Sequence, residues 1–456
     1  MRRYHWMVAA GLLVAPAVME AQGRAAMVAR IDSLVGVPIA ARRIAGASVA
    51  VVKGRDTILI KGYGWADLEL EVPTPPNAIY EVGSVTKQFT TAAILQLAEQ
   101  GKLSLDDDLT KYLPDYPTQA HRISIRRLMD HTSGIKGYTE IPEARSLFML
   151  KLSRDSIVGV FSRKPFEFAP GDALVYNNSA YFLLGLIIEK VSGMSYQEYL
   201  QKQLLDPVGM TSSSYCSESA ITRRKVRGFN AGPQGLVKAY QQDHVWPYSA
   251  GSLCSTAGDL IAWLRELHRG GQVVSRSAYR ELITPGTLND GTRLRYAKGL
   301  SVVEEDGRVM ISHGGGISGF VSETRYYPAE DLAVVVLINT AGGADPSEMA
   351  RAIARIVIGP GSPPPAAVAY PGDLAELAGR YRGVGRGAPV DLTLVVEGGA
   401  LKARQGNGPP RDLRYLGDGV FHGTGRDRYR VIREGGRVVA LQLDLVSVVT
   451  RLARQS

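Results

Sequence analysis

Short apolar, β-branched runs stand at both ends of a long stretch with helical periodicity. Near the start, Ala47 to Val52 and Thr57 to Tyr63, joined through Gly54-Arg55-Asp56, predict a β-hairpin. Far downstream, runs near Leu300 to Val303, Val309 to Ser312, Phe320 to Tyr327 and Ala333 to Asn339 predict an antiparallel meander. Both groups are expected in one sheet. Between them lies a helical insertion from Ser84 to His268. One apolar pattern there runs through Val85, Phe89, Ala92, Ala93 and Gln96 to Ala98 and stops at Gly101; another runs from about Tyr181 to Val191 and ends at Gly193. Helices over about Met27 to Leu34 and Pro346 to Ile358 are expected on one face of the sheet, with the insertion on the other. The fold class is therefore α/β, an antiparallel sheet flanked by helices with a helical insertion.

The pattern changes after Ile358. Gly359-Pro360-Gly361-Ser362-Pro363-Pro364-Pro365 begins a stiff proline-rich linker, expected over 359–372. Beyond it, Leu374 to Tyr381 leads into short alternating runs at Asp391 to Val396, Ala400 to Ala403, Gly419 to Gly423, Tyr429 to Ile432 and Val438 to Leu443, separated by glycine-rich turns. That spacing predicts a small all-β domain over 373–456, a barrel or sandwich, following a first domain over 28–358.

Candidate chemistry lies at the start of the first strong helix. Ser84-Val85-Thr86-Lys87 puts a hydroxyl and an amine at i and i+3, on one helical face and within reach of each other. The helix N-terminus beside Ser84 favours negative charge and helps to depress the lysine pKa, so a nucleophile can be activated without histidine. Ser133-Gly134-Ile135-Lys136 repeats the spacing, but glycines flank it and no helical run follows. Further partners are Tyr176 and Asn178, in a loop ahead of the Tyr181 helix, and His313-Gly314-Gly315-Gly316, a strand end without side-chain bulk that a ligand can approach closely. Gly314 to Gly319 formally matches a dinucleotide fingerprint, but a strand-like run follows rather than a helix.

With Ser-x-x-Lys at Ser84 and Lys87, Tyr-x-Asn at Tyr176 and Asn178, and a His-x-Gly strand motif at His313 and Gly315, the chain resembles the serine β-lactamase and penicillin-binding-protein superfamily. The likeness is to the class C branch, with the related D-aminopeptidases and esterases. Flanking phrases at Leu128 to Ile135 and Ala250 to Leu260 are similar too, and the likeness covers roughly residues 28 to 358. It implies a β-lactamase/transpeptidase-like fold, Ser84 as nucleophile, and an oxyanion hole from the backbone N–H groups of Ser84 and Gly316. Asn178, His313 and Gly315 are implied to face substrate. Either Lys87 or Tyr176 can serve as base. His313 stands where other members carry lysine; a largely neutral histidine anchors an anion poorly. The C-terminal part resembles the lipocalin-like module often attached to such hydrolases. His131 is expected to be structural, bonding the backbone of the turn that follows.

Composition narrows the setting. With 456 residues, 45% hydrophobic and 21% charged, the chain can bury more than one core. Met1-Arg2-Arg3, the apolar stretch Trp6 to Val18 and the following Met19 to Gln22 read as a signal peptide over 1–21, cleaved near Ala21, and hence as export to the periplasm or beyond. The formal net charge of +9 is scattered and lacks aromatic interleaving, so no nucleic-acid partner is expected. Contact with an anionic cell envelope is left open. No metal or cofactor motif occurs, and the expected partner is a small-molecule or peptide substrate. Cys216 and Cys254 are the only cysteines and can pair in an oxidising compartment. The expected activity is acyl-enzyme hydrolysis of an amide or ester, such as a β-lactam, a D-amino-acid peptide or a small ester. The contrasting reading is a binding module that is acylated slowly or not at all. Loops near 136–165 and 228–249 are expected to line the pocket.

Overall fold

The computed structural model describes residues 16–363, 365–423 and 425–455, with side chains from residue 22 onward. The charged start and the apolar run as far as residue 15 of the expected signal peptide lie outside the described residues; its remainder, from Pro16, belongs to the first helix.

Seven strands form one antiparallel sheet: β1 (Gly46–Lys53), β2 (Asp56–Asp67), β3 (Val72–Pro73), β4 (Ser301–Glu305), β5 (Arg308–Ile317), β6 (Phe320–Tyr327) and β7 (Leu332–Ile338). Their spatial order is β4-β5-β6-β7-β1-β2-β3. The two ends of the domain meet where β1 pairs β7, from Ala47 opposite Ile338 to Lys53 opposite Leu332. Both strands are buried on both faces, and the two-residue period of a strand sorts their side chains into two cores. Ala47, Val49, Val51, Val334, Val336 and Ile338 join the layer of helices α1 (Pro16–Ala40) and α5 (Pro346–Ile358). Ala50, Val52, Ala333, Val335 and Leu337 join the larger core under the helical insertion.

Helix α1 is longer than the expected Met27 to Leu34 and runs through Gly36 and Pro38. Burial explains this: Ile31 and Val35 are completely covered against the sheet, and that packing outweighs the local breakers. In the insertion, α2 (Thr86–Glu99) is anchored by Phe89 stacked on Trp263 of α4 (Ala257–Arg269), with ring centroids 3.9 Å apart. Helix α3 (Asn178–Ser192) starts from the Asn177 cap and stops at Gly193 in the left-handed region, φ 72°.

The C-terminal part is a nearly closed β-barrel. Its main strands are β8 (Gly379–Gly383), β9 (Val390–Glu397), β10 (Ala400–Gln405), β11 (Arg428–Glu434), β12 (Arg437–Asp444) and β13 (Val448–Arg454). The two edges of this sheet are Arg411–Asp412 and Arg414–Tyr415, which flank the single residue Leu413. A sheet whose edges are covalent neighbours must curl until they approach. Leu413, Tyr381, Leu392, Leu441 and Leu452 fill the interior. Strands β8 and β13 were not among the runs expected from sequence.

The barrel is docked on the first domain. Leu174–Val175, immediately before Tyr176, pairs antiparallel with β13, Val175 opposite Val448 and Leu174 opposite Val449. Arg295 donates from Nε to Asp444 Oδ2 at 2.7 Å and from Nη2 to Asp444 Oδ1 at 2.9 Å, and Arg426 of the barrel reaches Glu305 at 2.6 Å.

Candidate active site

Ser84 sits in a single 3₁₀ turn, Gly83–Val85, that opens into α2. Gly83 has φ +53°, and a Cβ there would lie 2.9 Å from the Gly316 nitrogen, so a side chain would push the serine turn and β5 apart. On β5 a Cβ at Gly315 would meet the Val82 carbonyl oxygen at 2.0 Å. The glycines of the third motif thus permit strand edge and nucleophile turn to touch. The turn is also tied from inside, since Thr86 Oγ1 donates to Gly83 O at 2.7 Å and accepts from Leu253 N at 3.0 Å.

Lys87 is wholly buried in the first turn of α2. Its Nζ lies 2.7 Å from Asn178 Oδ1, 2.8 Å from the Ala250 carbonyl and 3.1 Å from Ser84 Oγ. Burial, and secondarily the positive charge of Arg386, holds its pKa well below that of an ordinary lysine; Glu140 opposes this. A neutral amine has two N–H groups and one lone pair. In that form the two shorter contacts, to pure acceptors, use both N–H groups and leave the lone pair for the Ser84 hydroxyl; in the charged form the third N–H donates to Ser84 Oγ.

The structure brings Tyr176 to the same point. Its ring centroid is 4.8 Å from Lys87 Nζ, and its buried hydroxyl has no hydrogen-bond partner. Burial raises its pKa above the ordinary tyrosine value; the nearby Ser84 hydroxyl works the other way without reaching hydrogen-bond geometry. Asn178 is the first residue of α3 rather than part of a loop, because Asn177 takes the capping position with its Oδ1 accepting from Ala180 N at 2.9 Å. Helix geometry therefore aims Asn178 at Lys87, and its Nδ2 donates to Thr139 Oγ1 at 3.2 Å.

His313 is buried behind this group and takes part in a continuous hydrogen-bond chain. The Asn177 N–H donates to His131 Nδ1 at 3.1 Å, so the proton of neutral His131 is on Nε2, facing Tyr296 Oη at 3.1 Å. Tyr296 then donates to His313 Nε2 at 3.0 Å, and His313 Nδ1–H donates to the Gly314 carbonyl. Burial pushes the His131 pKa well below the histidine range and that of His313 down to about 3. Both nitrogens of His313 are engaged with protein, and it is uncharged at neutral pH. His131 supports the Tyr176-Asn177-Asn178 segment rather than the turn that follows it.

The second Ser-x-x-Lys is separate. Ser133 Oγ is buried without a partner, and Lys136 pairs with Glu167 at 2.6 Å. Gly314 to Gly316 lie in β5 and Phe320 begins β6, so the dinucleotide fingerprint is part of a hairpin. Among the described residues no His, Cys, Asp and Glu cluster could hold a metal. Cys216 and Cys254 form a disulfide. Glu140, Tyr296, the Ala250 carbonyl and Arg386 were not anticipated. Glu140 falls in an expected pocket loop, whereas Arg386 comes from the other domain and has no local signal.

An antiparallel sheet with a serine and lysine one helical turn apart beside it, faced by a tyrosine and an asparagine, is the architecture of the β-lactamase/transpeptidase-like superfamily. Residues 27–358 match the Beta-lactamase family, and the chain belongs to it. It is 28% identical over 315 residues to Protein flp of Staphylococcus aureus (strain MRSA252), covering 68% of this chain and 62% of that protein. With a D-aminopeptidase of Gluconobacter oxydans (strain 621H) it shares 29% identity over 306 residues, 64% of this chain and 55% of the other. The matched region thus spans less than two thirds of these relatives. The octameric penicillin-binding protein homologue from Pyrococcus abyssi superimposes with a TM-score of 0.64 at 26% identity, over 94% of this chain and 100% of that one.

Proposed function

We propose that the protein is an exported hydrolase that forms an acyl-enzyme at Ser84 and hydrolyses an amide or ester, with D-amino-acid peptides, β-lactams and small esters as candidate substrates. The position of Lys87 carries this reading: a wholly buried amine, its pKa pushed down by burial, with Asn178 Oδ1 at 2.7 Å, the Ala250 carbonyl at 2.8 Å and Ser84 Oγ at 3.1 Å. Lys87 takes the Ser84 proton as Oγ attacks the carbonyl carbon, so of the two candidate bases the amine is favoured. Tyr176, whose pKa is raised, acts as a neutral phenol that passes a proton to the departing nitrogen or oxygen and is reprotonated from Lys87. The backbone N–H groups of Ser84 and Gly316 receive the oxyanion; one such donor is worth about 100- to 1000-fold in rate. Water then repeats the sequence on the acyl-enzyme. The likeness to the D-aminopeptidase of Gluconobacter oxydans supports a peptide substrate. The Cys216–Cys254 disulfide, together with the N-terminal sequence, supports export to an oxidising compartment.

The test is intact-mass spectrometry of the mature chain and its Ser84→Ala variant after exposure to p-nitrophenyl acetate, a fluorophosphonate and a reporter penicillin. The expected result is a covalent adduct that requires Ser84, with the probe that turns over identifying the preferred acyl group. If none of the three gives a Ser84-dependent adduct, the protein is a binding module and the hydrolase reading fails.

A further inference from the structure

The barrel puts one side chain into the active site. Arg386 lies in the 384–389 connection between β8 and β9. Two glycines shape this tip. A Cβ at Gly385 would meet the Ala388 carbonyl at 2.5 Å, and Gly387 has φ +77° with its Cβ position 3.3 Å from Glu140 Cγ, so the backbone turns tightly against the first domain. From there the Arg386 guanidinium lies over the Tyr176 ring, 5.0 Å from its centroid, and Nε donates to Glu140 Oε1 at 2.7 Å. The Glu140 side chain is 9% exposed and is itself held by Thr139 Oγ1 at 2.8 and 2.9 Å.

Glu140 therefore fixes the guanidinium through Nε alone. The end-on edge, Nη1 and Nη2, makes no hydrogen bond among the described residues, and the side chain remains 42% exposed. That edge is the part of arginine that grips a carboxylate in a two-pronged fashion. Burial disfavours charge on the other two basic groups at the site, Lys87 and His313. Arg386, as an arginine, keeps its charge there. The barrel that carries it is seated next to Tyr176, whose N–H donates to Ser447 O at 2.9 Å in a turn that holds Val446 at φ +71°.

We infer that Arg386 is a specificity-determining residue supplied by the C-terminal barrel, and that it selects substrates bearing a free carboxylate on the leaving-group side of the scissile bond. The inference rests on the acyl-enzyme reading and adds the substrate class. The side follows from Tyr176, which serves the leaving group in that reading and over whose ring the guanidinium lies.

The test compares two N-benzoylglycyl thioesters that differ only in the leaving thiol, mercaptoacetate against mercaptoacetamide, using the full mature chain and its Arg386→Gln and Arg386→Lys variants. The unaltered protein is expected to prefer the carboxylate thioester in kcat/KM. Arg386→Gln should reduce that preference 10- to 100-fold, chiefly through KM, as expected for loss of a charge-assisted hydrogen bond. Arg386→Lys should recover part of it. The unaltered protein supplies a second reading without any variant: N-acetyl-D-alanine should inhibit fluorophosphonate labelling of Ser84 more strongly than its amide does. If Ser84 is labelled but the two thioesters turn over equally, or N-acetyl-D-alanine and its amide inhibit equally, the inference is overturned and the acyl-enzyme reading stands. If Ser84 is not labelled and neither thioester turns over, the acyl-enzyme reading itself fails and the inference falls with it.

Discussion

At the scale of single residues, the site turns on where protons reside at neutral pH. Lys87 faces Ser84, Asn178 and the Ala250 carbonyl directly, with the Tyr176 and Tyr181 rings beside it and the charges of Arg386 and Glu140 further out. His131 and His313 are also near, and burial pushes both pKa values down, that of His313 to about 3. Acylation requires neutral Lys87, so its rate should rise with pH through the lysine pKa and then level off. Because burial depresses that pKa, the plateau should be reached well below the pH at which a solvated lysine loses its proton. Arg386 pushes in the same direction, since a nearby cation disfavours a second one. Arg386→Gln removes that push and should move the acid limb of Ser84 acylation to higher pH. Burst-phase kinetics with p-nitrophenyl acetate measure this; an acid limb that stays in place or moves to lower pH contradicts the assignment of Lys87 as the titrating base. Lys87→Met should slow acylation by about 100- to 10,000-fold, the usual contribution of a positioned base.

At the scale of elements, the serine turn and β5 are held together by the smallness of Gly315. Gly315→Ala puts a methyl group against the Val82 carbonyl and the Ser322 hydroxyl, at 2.0 and 2.4 Å before relaxation. Ser322 Oγ already donates to Val82 O at 2.8 Å, so neither neighbour can move without breaking that bond. The strand must retreat, carrying the Gly316 N–H out of range of an oxyanion. Acylation should then slow by about 100- to 1000-fold, while the circular dichroism spectrum keeps its native form. A Gly315→Ala variant with unaltered acylation would show that the Gly316 N–H is not an oxyanion donor. Such elements were readable from sequence because the chemistry is local to them: Ser84 and Lys87 share one helical turn, and Gly314 to Gly316 lie on one strand. What sequence could not supply was contact between distant segments. Asn178 was placed in a loop because the apolar run begins at Tyr181, whereas the Asn177 cap starts the helix three residues earlier. Tyr296 lies in an irregular segment with no periodicity, and only the folded sheet brings it between His131 and His313. Strand β13, paired chiefly with the preceding β12, has only a short alternation, and its docking on Leu174–Val175 joins segments more than 270 residues apart in the chain.

For the whole molecule, the question is whether the barrel and the hydrolase domain act as one unit. The connection over 359–372 is bonded to both, Ser362 N to Asp306 O and Val368 N to Tyr415 O, each at 2.9 Å, and the second link is the docking of β12 and β13 beside Tyr176. Arg295 dominates it, giving two bonds to the Asp444 carboxylate and one each to the carbonyls of Asp444, at 3.0 Å, and Arg426, at 2.7 Å. Both side chains are largely covered, at 11% and 13% exposure, so removing Arg295 leaves the Asp444 carboxylate buried with only the Val446 N–H, at 2.8 Å, bonded to it. Such a loss typically costs about 3–5 kcal/mol. Arg295→Ala should therefore weaken the attachment of β13 to Leu174–Val175 more than it disturbs either core. Calorimetry should show the unfolding endotherm separating, with a barrel transition at lower temperature and the hydrolase transition close to its original position. Arg386 travels with the barrel, so the carboxylate preference should fall in Arg295→Ala as it does in Arg386→Gln, even though Arg295 touches neither Tyr176 nor Glu140. Fluorophosphonate labelling of Ser84 should persist, because Lys87, Asn178 and β5 are held by the first domain alone. A single unshifted endotherm would mean that the domains are coupled through other contacts. A separated endotherm with the carboxylate preference intact would mean that docking does not control the pocket.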